Sequence, residues 1–442
     1  MRRYRIKKEY RTKVRLSCFG CLTFIVVIIA AVCRCTCASC SNDNKAEDRV
    51  NTAKHLNNTL RNALSDLPEF HKMDSVVERY LKRWEINGAQ LAISRNDSLL
   101  YAKGFGFADK DKGVRMEAGH IMRIASVSKL LTAAGIMKLR EEGKLRLSDK
   151  VFGPDGILND SIFTNAIKDR LYFDITVEHL LRHQAGFTKQ DGDPMFSTRY
   201  IMMQNSLSTP PDYKTLLSIV LKKRLRYAPG TSRYYCNIGY MLLSKIIERR
   251  SGMSYEEYMR KHILEPAGCF DMHIAGNYLS DRRDNETVYY MHSGSEPVYE
   301  FNNSGRLVEK CYGENNLPEL AGAGAWCSSA AELCRFVASI DGGGVMQDVL
   351  SPESVSMMTR EMPDHAYSLG WNFTPANKHW ERSGTLSGTS ALVIHYNDGE
   401  CWVFITNTSI WKGHVFSKDT KALFDKLRRD YGATFPKRNL FV

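Results

Sequence analysis

Ser126 and Lys129 stand three residues apart in Ser126-Val127-Ser128-Lys129. On a helix that spacing puts both side chains on one face, about 5–6 Å apart at Cβ. A neutral lysine amine at that reach can take the serine proton, which makes a nucleophile beside its own base. A serine in the first turn also lies near the helix amides, which favour a developing negative charge. Downstream, Leu130, Leu131, Ala133, Ala134, Ile136, Met137 and Leu139 are apolar almost all round, the pattern of a buried helix. Burial lowers a lysine pKa towards the range in which the amine acts as a base. The chemistry on offer is covalent acyl transfer. Spacing alone is not specific, because Ser409 and Lys412 repeat it. That second pair follows a strand-like run close to the C-terminus, with no room downstream for partner motifs, and is read as chance. A cap serine and a solvated lysine would account for either pair taken alone.

Two further motifs occur in order. Tyr235-Cys236-Asn237 follows the turn signal Pro229-Gly230 and precedes a helical run from Tyr240 to Ile247, which Gly252 ends. A tyrosine and an asparagine two apart in an extended segment face one way. Later, Arg382-Ser383-Gly384-Thr385 introduces the strand-like Ala391 to Ile394, and Asn397-Asp398-Gly399 turns the chain into a second strand, Cys401 to Thr406. A glycine where an edge strand borders a cleft lets a substrate backbone come close.

With these motifs in place, the chain resembles the penicillin-recognising serine hydrolases, in the branch of class C β-lactamases and D-alanyl-D-alanine carboxypeptidases, which includes esterase-like relatives. The resemblance runs from about Phe70 to about Tyr431. It is carried also by Met122-Arg123-Ile124-Ala125, by Ile175-Thr176-Val177-Glu178-His179-Leu180-Leu181-Arg182-His183-Gln184-Ala185-Gly186, by Tyr227-Ala228-Pro229-Gly230-Thr231, by Glu265-Pro266-Ala267-Gly268 and by Ala321 to Ser328. It implies an α+β, β-lactamase/transpeptidase-like fold, with an antiparallel sheet flanked by helices and a mostly helical region beside it.

The resemblance also implies roles. Ser126 matches the nucleophile, Lys129 the lysine that deprotonates it, and Tyr235 the tyrosine that shares general-base work and protonates the leaving group. Asn237 matches a residue bonded to substrate and to the lysine. Ser126 and Thr385 match the two oxyanion-hole amides, with Ser383 and Gly384 on the same substrate-binding strand. Gln190 lies where some relatives place a substrate-binding glutamine. His179 and His183 have the i,i+4 spacing that suits zinc, but their match to the family segment makes them structural. No metal and no cofactor is expected. Arg382 stands where the family usually has lysine or histidine. It is permanently charged and cannot relay a proton, but its fork suits a substrate carboxylate. That replacement, like Cys236 for the frequent serine, argues against efficient β-lactam turnover.

The remaining sequence sets the context. With 442 residues and a 43% apolar fraction, the chain can build a sizeable core. Of the formal charge of +12, the first fifteen residues carry +7 (eight Arg or Lys, one Glu). The remaining +5 argues against nucleic-acid binding. The basic head precedes an apolar run from Cys18 to Cys33, the pattern of an export signal or a membrane anchor, so the catalytic part is expected outside the cytoplasm. Ala38-Ser39-Cys40-Ser41 resembles a bacterial lipoprotein cleavage site, which would leave lipid on Cys40. Six cysteines belong to this head; no histidine supports a metal clip there, and the other six imply no disulfide framework. The expected division is residues 1–40 as signal or anchor, 41–67 as a polar tether and 68–442 as a hydrolase domain. Its sheet takes strands at Ala89–Ser94, Ser98–Phe107 and Ser390–Thr406. Helices start near Val76 and Thr420, a helical region fills about 125–350, and loops at 191–212 and 277–318 rim the groove. The expected substrate is a small molecule or peptide carrying an amide or ester. The competing expectation is a membrane-anchored binding or sensor protein that keeps the fold without turnover.

Overall fold

The computed structural model describes residues 55–190 and 192–441. The basic head, the apolar run and Cys40 lie outside them. Its centre is a six-stranded antiparallel sheet built from both ends of the chain. The strands are β1 (Gly88–Arg95), β2 (Ser98–Asp109) and β3 (Val114–Arg115) from the start, and β7 (His379–Leu386), β8 (Thr389–Tyr396) and β9 (Glu400–Thr406) from the end. They lie in the order β3-β2-β1-β9-β8-β7. First and last strands meet with Ala89 opposite Thr406 and Arg95 opposite Glu400.

Every residue of β8 and β9 is buried, and their alternation separates two cores. Leu392, Ile394, Trp402 and Phe404 face one layer with Leu91 and Ile93. Ala391, Val393, Cys401, Val403 and Ile405 face the other with Ala92. Period-two geometry requires this split. The first layer is helix α1 (His71–Trp84), which buries Met73, Val77, Tyr80, Leu81 and Trp84, together with the C-terminal helix Gly413–Tyr431, which contributes Phe416, Leu423, Phe424 and Leu427. The second is the helical region expected from the sequence. It includes α2 (Ser128–Glu141), α3 (Val177–Leu181), α4 (Asn237–Ser251) and α5 (Ala330–Ala338), the last packed on β1 and β9. A second, three-stranded sheet has β6 (Trp326–Ser328) in the middle, between β4 (Met122–Arg123) and β5 (His273–Ile274).

The structure differs from the expected boundaries in places. The polar segment read as a tether is packed from His55 onward. Asn57 donates through Nδ2 to Asp271 and Glu332 at 2.9 and 3.0 Å. Asn62 accepts from Gly104 N at 2.7 Å and donates to Met116 O at 2.8 Å. Its polarity is spent on carboxylates and on backbone groups of and next to the sheet instead of keeping the segment in water. The expected rim loops contain short elements of their own, a helix at Thr198–Gln204 and a hairpin pairing Val298–Tyr299 with Leu307–Val308. They touch where the Arg199 guanidinium lies 4.7 Å over the Tyr299 ring. The six cysteines among the described residues are buried free thiols.

Candidate active site

Ser126 is presented by a strained turn. The chain leaves β4 and passes Ala125 in the left-handed region, at φ 47°. It then makes one 3-10 turn, Ala125–Val127, before α2 starts at Ser128. A non-glycine residue held there costs on the order of 1–3 kcal/mol and persists only if its surroundings hold it. Here they do. Ser128 Oγ donates to Ala125 O at 2.7 Å and accepts from Trp326 N at 3.1 Å. The half-buried Ser126 thereby projects from the helix start.

Lys129, with no exposed surface, places Nζ 3.2 Å from Ser126 Oγ, 2.8 Å from Asn237 Oδ1 and 2.5 Å from Ala323 O. The last two partners are carbonyl oxygens and can only accept. A neutral amine therefore spends both N–H bonds on them, which leaves its lone pair for the serine proton. Burial, chiefly, lowers the Lys129 pKa to about 8.

Tyr235 Oη is 2.8 Å from Ser126 Oγ on the other side. Burial would raise its pKa, but the charges of Lys129 and then Arg382 outweigh that and bring it to about 8. Lys129 and Tyr235 thus titrate as a coupled pair around the serine. The Tyr235 ring packs on His183, with centroids 4.3 Å apart. Burial and the neighbouring Lys129 charge hold His183 neutral, well below the ordinary histidine range. His183 O also accepts from Tyr234 N at 2.8 Å, which ties the tyrosine segment to the loop after α3.

The edge strand β7 closes the site. Ser383 N turns away from β8 and donates to Asn372 Oδ1 at 2.9 Å. In an antiparallel ladder residues two apart direct their backbone groups alike, so the amide of exposed Thr385 faces the open edge beside Ser126. The approach depends on Gly384. A Cβ there would lie 2.6 Å from Ile124 O and 2.7 Å from Ser126 N, against backbone on both sides. β7 thereby packs its backbone against the Ser126 turn, which makes the amides of Ser126 and Thr385 the candidates for an oxyanion hole.

Arg382 sits differently from its expected use. It is buried, with Nε donating to Ser126 O at 2.8 Å and Nη2 to Tyr235 Oη at 3.2 Å. Two of its five N–H donors are thus engaged on the nucleophile turn and the tyrosine. Gln190 lies in an exposed turn, its backbone N–H bonded to Thr188 Oγ1. Asp193 enters the site instead, accepting from Asn237 N at 3.1 Å and Asn237 Nδ2 at 3.0 Å. Lys189 is 3.5 Å from Asp193 and 5.7 Å from the Tyr235 ring centroid. The sequence offered one unused signal for Asp193, the turn-initiating Asp193-Pro194 pair. The histidine pair is structural in the fold: His179 Nδ1 accepts from Thr176 N in a capping box and His183 supports Tyr235. The chance pair is also structural, since Ser409 Oγ accepts from Gly388 N while Lys412 is exposed beside Trp411.

Known proteins resemble the chain in sequence and in fold. The family model described as Beta-lactamase matches residues 73–424. A penicillin-binding protein of Bacillus subtilis (strain 168) is 26% identical over 342 residues, covering 74% of this chain and 69% of its own. Two solved structures share the fold at low identity. The octameric penicillin-binding protein homologue from Pyrococcus abyssi has a TM-score of 0.60 at 23% identity, covering 80% of this chain and 77% of its own. D-amino acid amidase from Ochrobactrum anthropi SV3 has a TM-score of 0.63 at 17% identity, covering 83% and 99%.

Proposed function

Because the chain belongs to the β-lactamase family of serine hydrolases, we propose that it hydrolyses an amide or ester of a peptide-like substrate through an acyl-enzyme on Ser126. The observation that carries this reading is the placement of Ser126 Oγ between Lys129 Nζ at 3.2 Å and Tyr235 Oη at 2.8 Å. As Ser126 Oγ bonds to the substrate carbonyl carbon, its proton passes to the basic member of the Lys129–Tyr235 pair. The carbonyl oxygen becomes the oxyanion and accepts from the amides of Ser126 and Thr385. Tyr235 Oη then returns a proton to the departing amine or alcohol. Water attacks the ester, and release of the acid restores Ser126. Arg382 keeps Tyr235 able to carry negative charge throughout.

The names of the relatives, penicillin-binding proteins and a D-amino acid amidase, support a D-amino-acid peptide or amide over an arbitrary ester. The basic head, apolar run and Cys40 support an extracytoplasmic site of action, held to a bacterial membrane by the N-terminal segment or by lipid. The test is labelling by a serine-directed fluorophosphonate and, separately, by a fluorescent penicillin, with Ser126→Ala as control. Adducts on Ser126 followed by release of product from D-amino acid amides are expected. Absence of any adduct would sink the enzyme reading, and a permanent adduct without turnover would favour the binding-protein alternative.

A further inference from the structure

Beneath the nucleophile turn, three metal-ligating side chains from distant parts of the chain converge. His273 on β5 and Cys327 on β6 are directly opposite in the ladder. Glu286 comes from the chain that bridges Ile121, just before β4. Their exposures are 3%, 0% and 3%. His273 Nε2 lies 3.5 Å from Glu286 Oε2, Cys327 Sγ lies 3.6 Å from Glu286 Oε1, and the three ligand atoms fall within 4.8 Å of one another. A tetrahedral ion with bonds of about 2.0–2.3 Å sets its ligands roughly 3.3–3.8 Å apart.

The hydrogen bonds around the cluster leave one of these atoms without a partner. His273 Nδ1 is 2.9 Å from Asp271 O, and a carbonyl can only accept, so the ring proton is on Nδ1. His273 Nε2 is buried against Glu286 Oε2 at 3.5 Å and has no hydrogen-bond partner. A buried polar atom in that state calls for an explanation. A backbone carbonyl on the far nitrogen is also the usual outer support of a metal-bound histidine. Tyr289 Oη supports Glu286 in the same manner at 2.7 Å, and adjoins Cys327 Sγ at 3.9 Å. Arg123 is turned to other acceptors, Cys311 O at 2.7 Å and Gly276 O at 3.0 Å, with its guanidinium over the Tyr289 ring, while Arg282 donates to the backbone carbonyl of Glu286 at 2.6 Å and Arg283 N to its Oε2 at 3.3 Å.

We propose that His273, Glu286 and Cys327 bind a zinc-class divalent transition-metal ion. Imidazole, carboxylate and thiolate are its preferred ligand types, and Cys327 would release its thiol proton to solvent as the metal–sulfur bond forms. The ion would fasten β5 to β6, and through the Cys327–Arg123 pairing it would brace β4, whose last residue is three before Ser126. Its role is structural, since all three ligands are withdrawn from the cleft.

The test uses the full chain without a polyhistidine tag, purified from zinc-supplemented medium and, separately, refolded with zinc or cobalt. One zinc per chain is expected after a wash with a weak chelator, and the cobalt form should show a thiolate-to-cobalt charge-transfer band in the near ultraviolet. Cys327→Ser should abolish that band and His273→Asn should release the metal. A chain that retains no metal by either route overturns the proposal, as does metal that persists unchanged in both variants. Should the variants fail to fold, the cobalt spectrum of the native chain decides, and a spectrum without the thiolate band refutes the site.

Discussion

A single carboxylate oxygen of Asp193 accepts both the backbone and the side-chain N–H of Asn237, at 3.1 and 3.0 Å. The bond to Nδ2 decides which way the amide points, so Oδ1 is left for Lys129 Nζ at 2.8 Å. Asp193 thereby fixes the lysine without touching the serine. Asp193→Ala should lower kcat by about 10²-fold, the scale of a small misplacement in a catalytic group, while KM changes little. Asp193→Asn keeps an acceptor in place and removes a charge that raises the Lys129 pKa. It should hold most of the activity and move the acidic limb of the pH profile to lower pH. An unshifted limb in that variant would leave Asp193 a merely structural residue.

The pH dependence follows from the pair flanking Ser126. Both Lys129 and Tyr235 are lowered to about 8, and either serves as base only after the pair has lost a proton. Acylation is therefore expected to rise with pH through about 8 and level off above it, with an apparent value belonging to the pair. Lys129→Arg, whose guanidinium stays charged, should cost about 10²–10⁴-fold in kcat/KM, the range of general-base catalysis. Stopped-flow acylation with a chromogenic ester from pH 6 to 10 measures both.

Arg382 offers a test of substrate recognition. Since its Nε and Nη2 are bonded to Ser126 O and Tyr235 Oη, Arg382→Ala should slow hydrolysis of esters with and without a carboxylate by the same factor. It should also shift the acidic limb to higher pH, because Tyr235 loses a charge that lowers its pKa. A loss confined to carboxylate-bearing substrates would return Arg382 to the role of a substrate clamp.

At Gly384 the prediction is steric. A methyl group would press on Ile124 O and Ser126 N at 2.6 and 2.7 Å, and neither backbone atom can swing aside. Gly384→Ala should cost about 1–3 kcal/mol of stability. By parting the two oxyanion amides it should also lower kcat about 10²–10³-fold. Thermal unfolding and kcat, measured on the same preparation, read the two effects separately.

Much of this arrangement was legible in the sequence because each motif carries its own local geometry. The serine–lysine spacing, the Tyr235–Asn237 pair and the Ser383-Gly384-Thr385 edge strand each indicate a direction for their side chains, and the strand-like runs Ala391 to Ile394 and Cys401 to Thr406 indicate the end of the sheet. Asp193 escaped notice because it sits in a polar, turn-rich stretch without periodicity, where a carboxylate ordinarily signals solvent. Arg382 was visible as a cation, but which way its fork turns depends on Ser126 O and Tyr235, groups 256 and 147 residues away. Asn57 and Asn62 read as tether residues for a similar reason. Their polarity is used on backbone groups and carboxylates that only the folded chain brings near.

The interleaving of β1 with β9 has a consequence for biosynthesis. Ser126 and Lys129 emerge early, yet Thr385, which faces them, and the strands that seat β7 on the sheet arrive only when the chain is nearly complete. Pairing across some three hundred residues is slow to form, so a nascent or prematurely terminated chain lacking β7 to β9 carries its nucleophile without an oxyanion hole. Hydrolytic competence would then be acquired late and in a single step, which spares the cell a half-made acylating enzyme during synthesis.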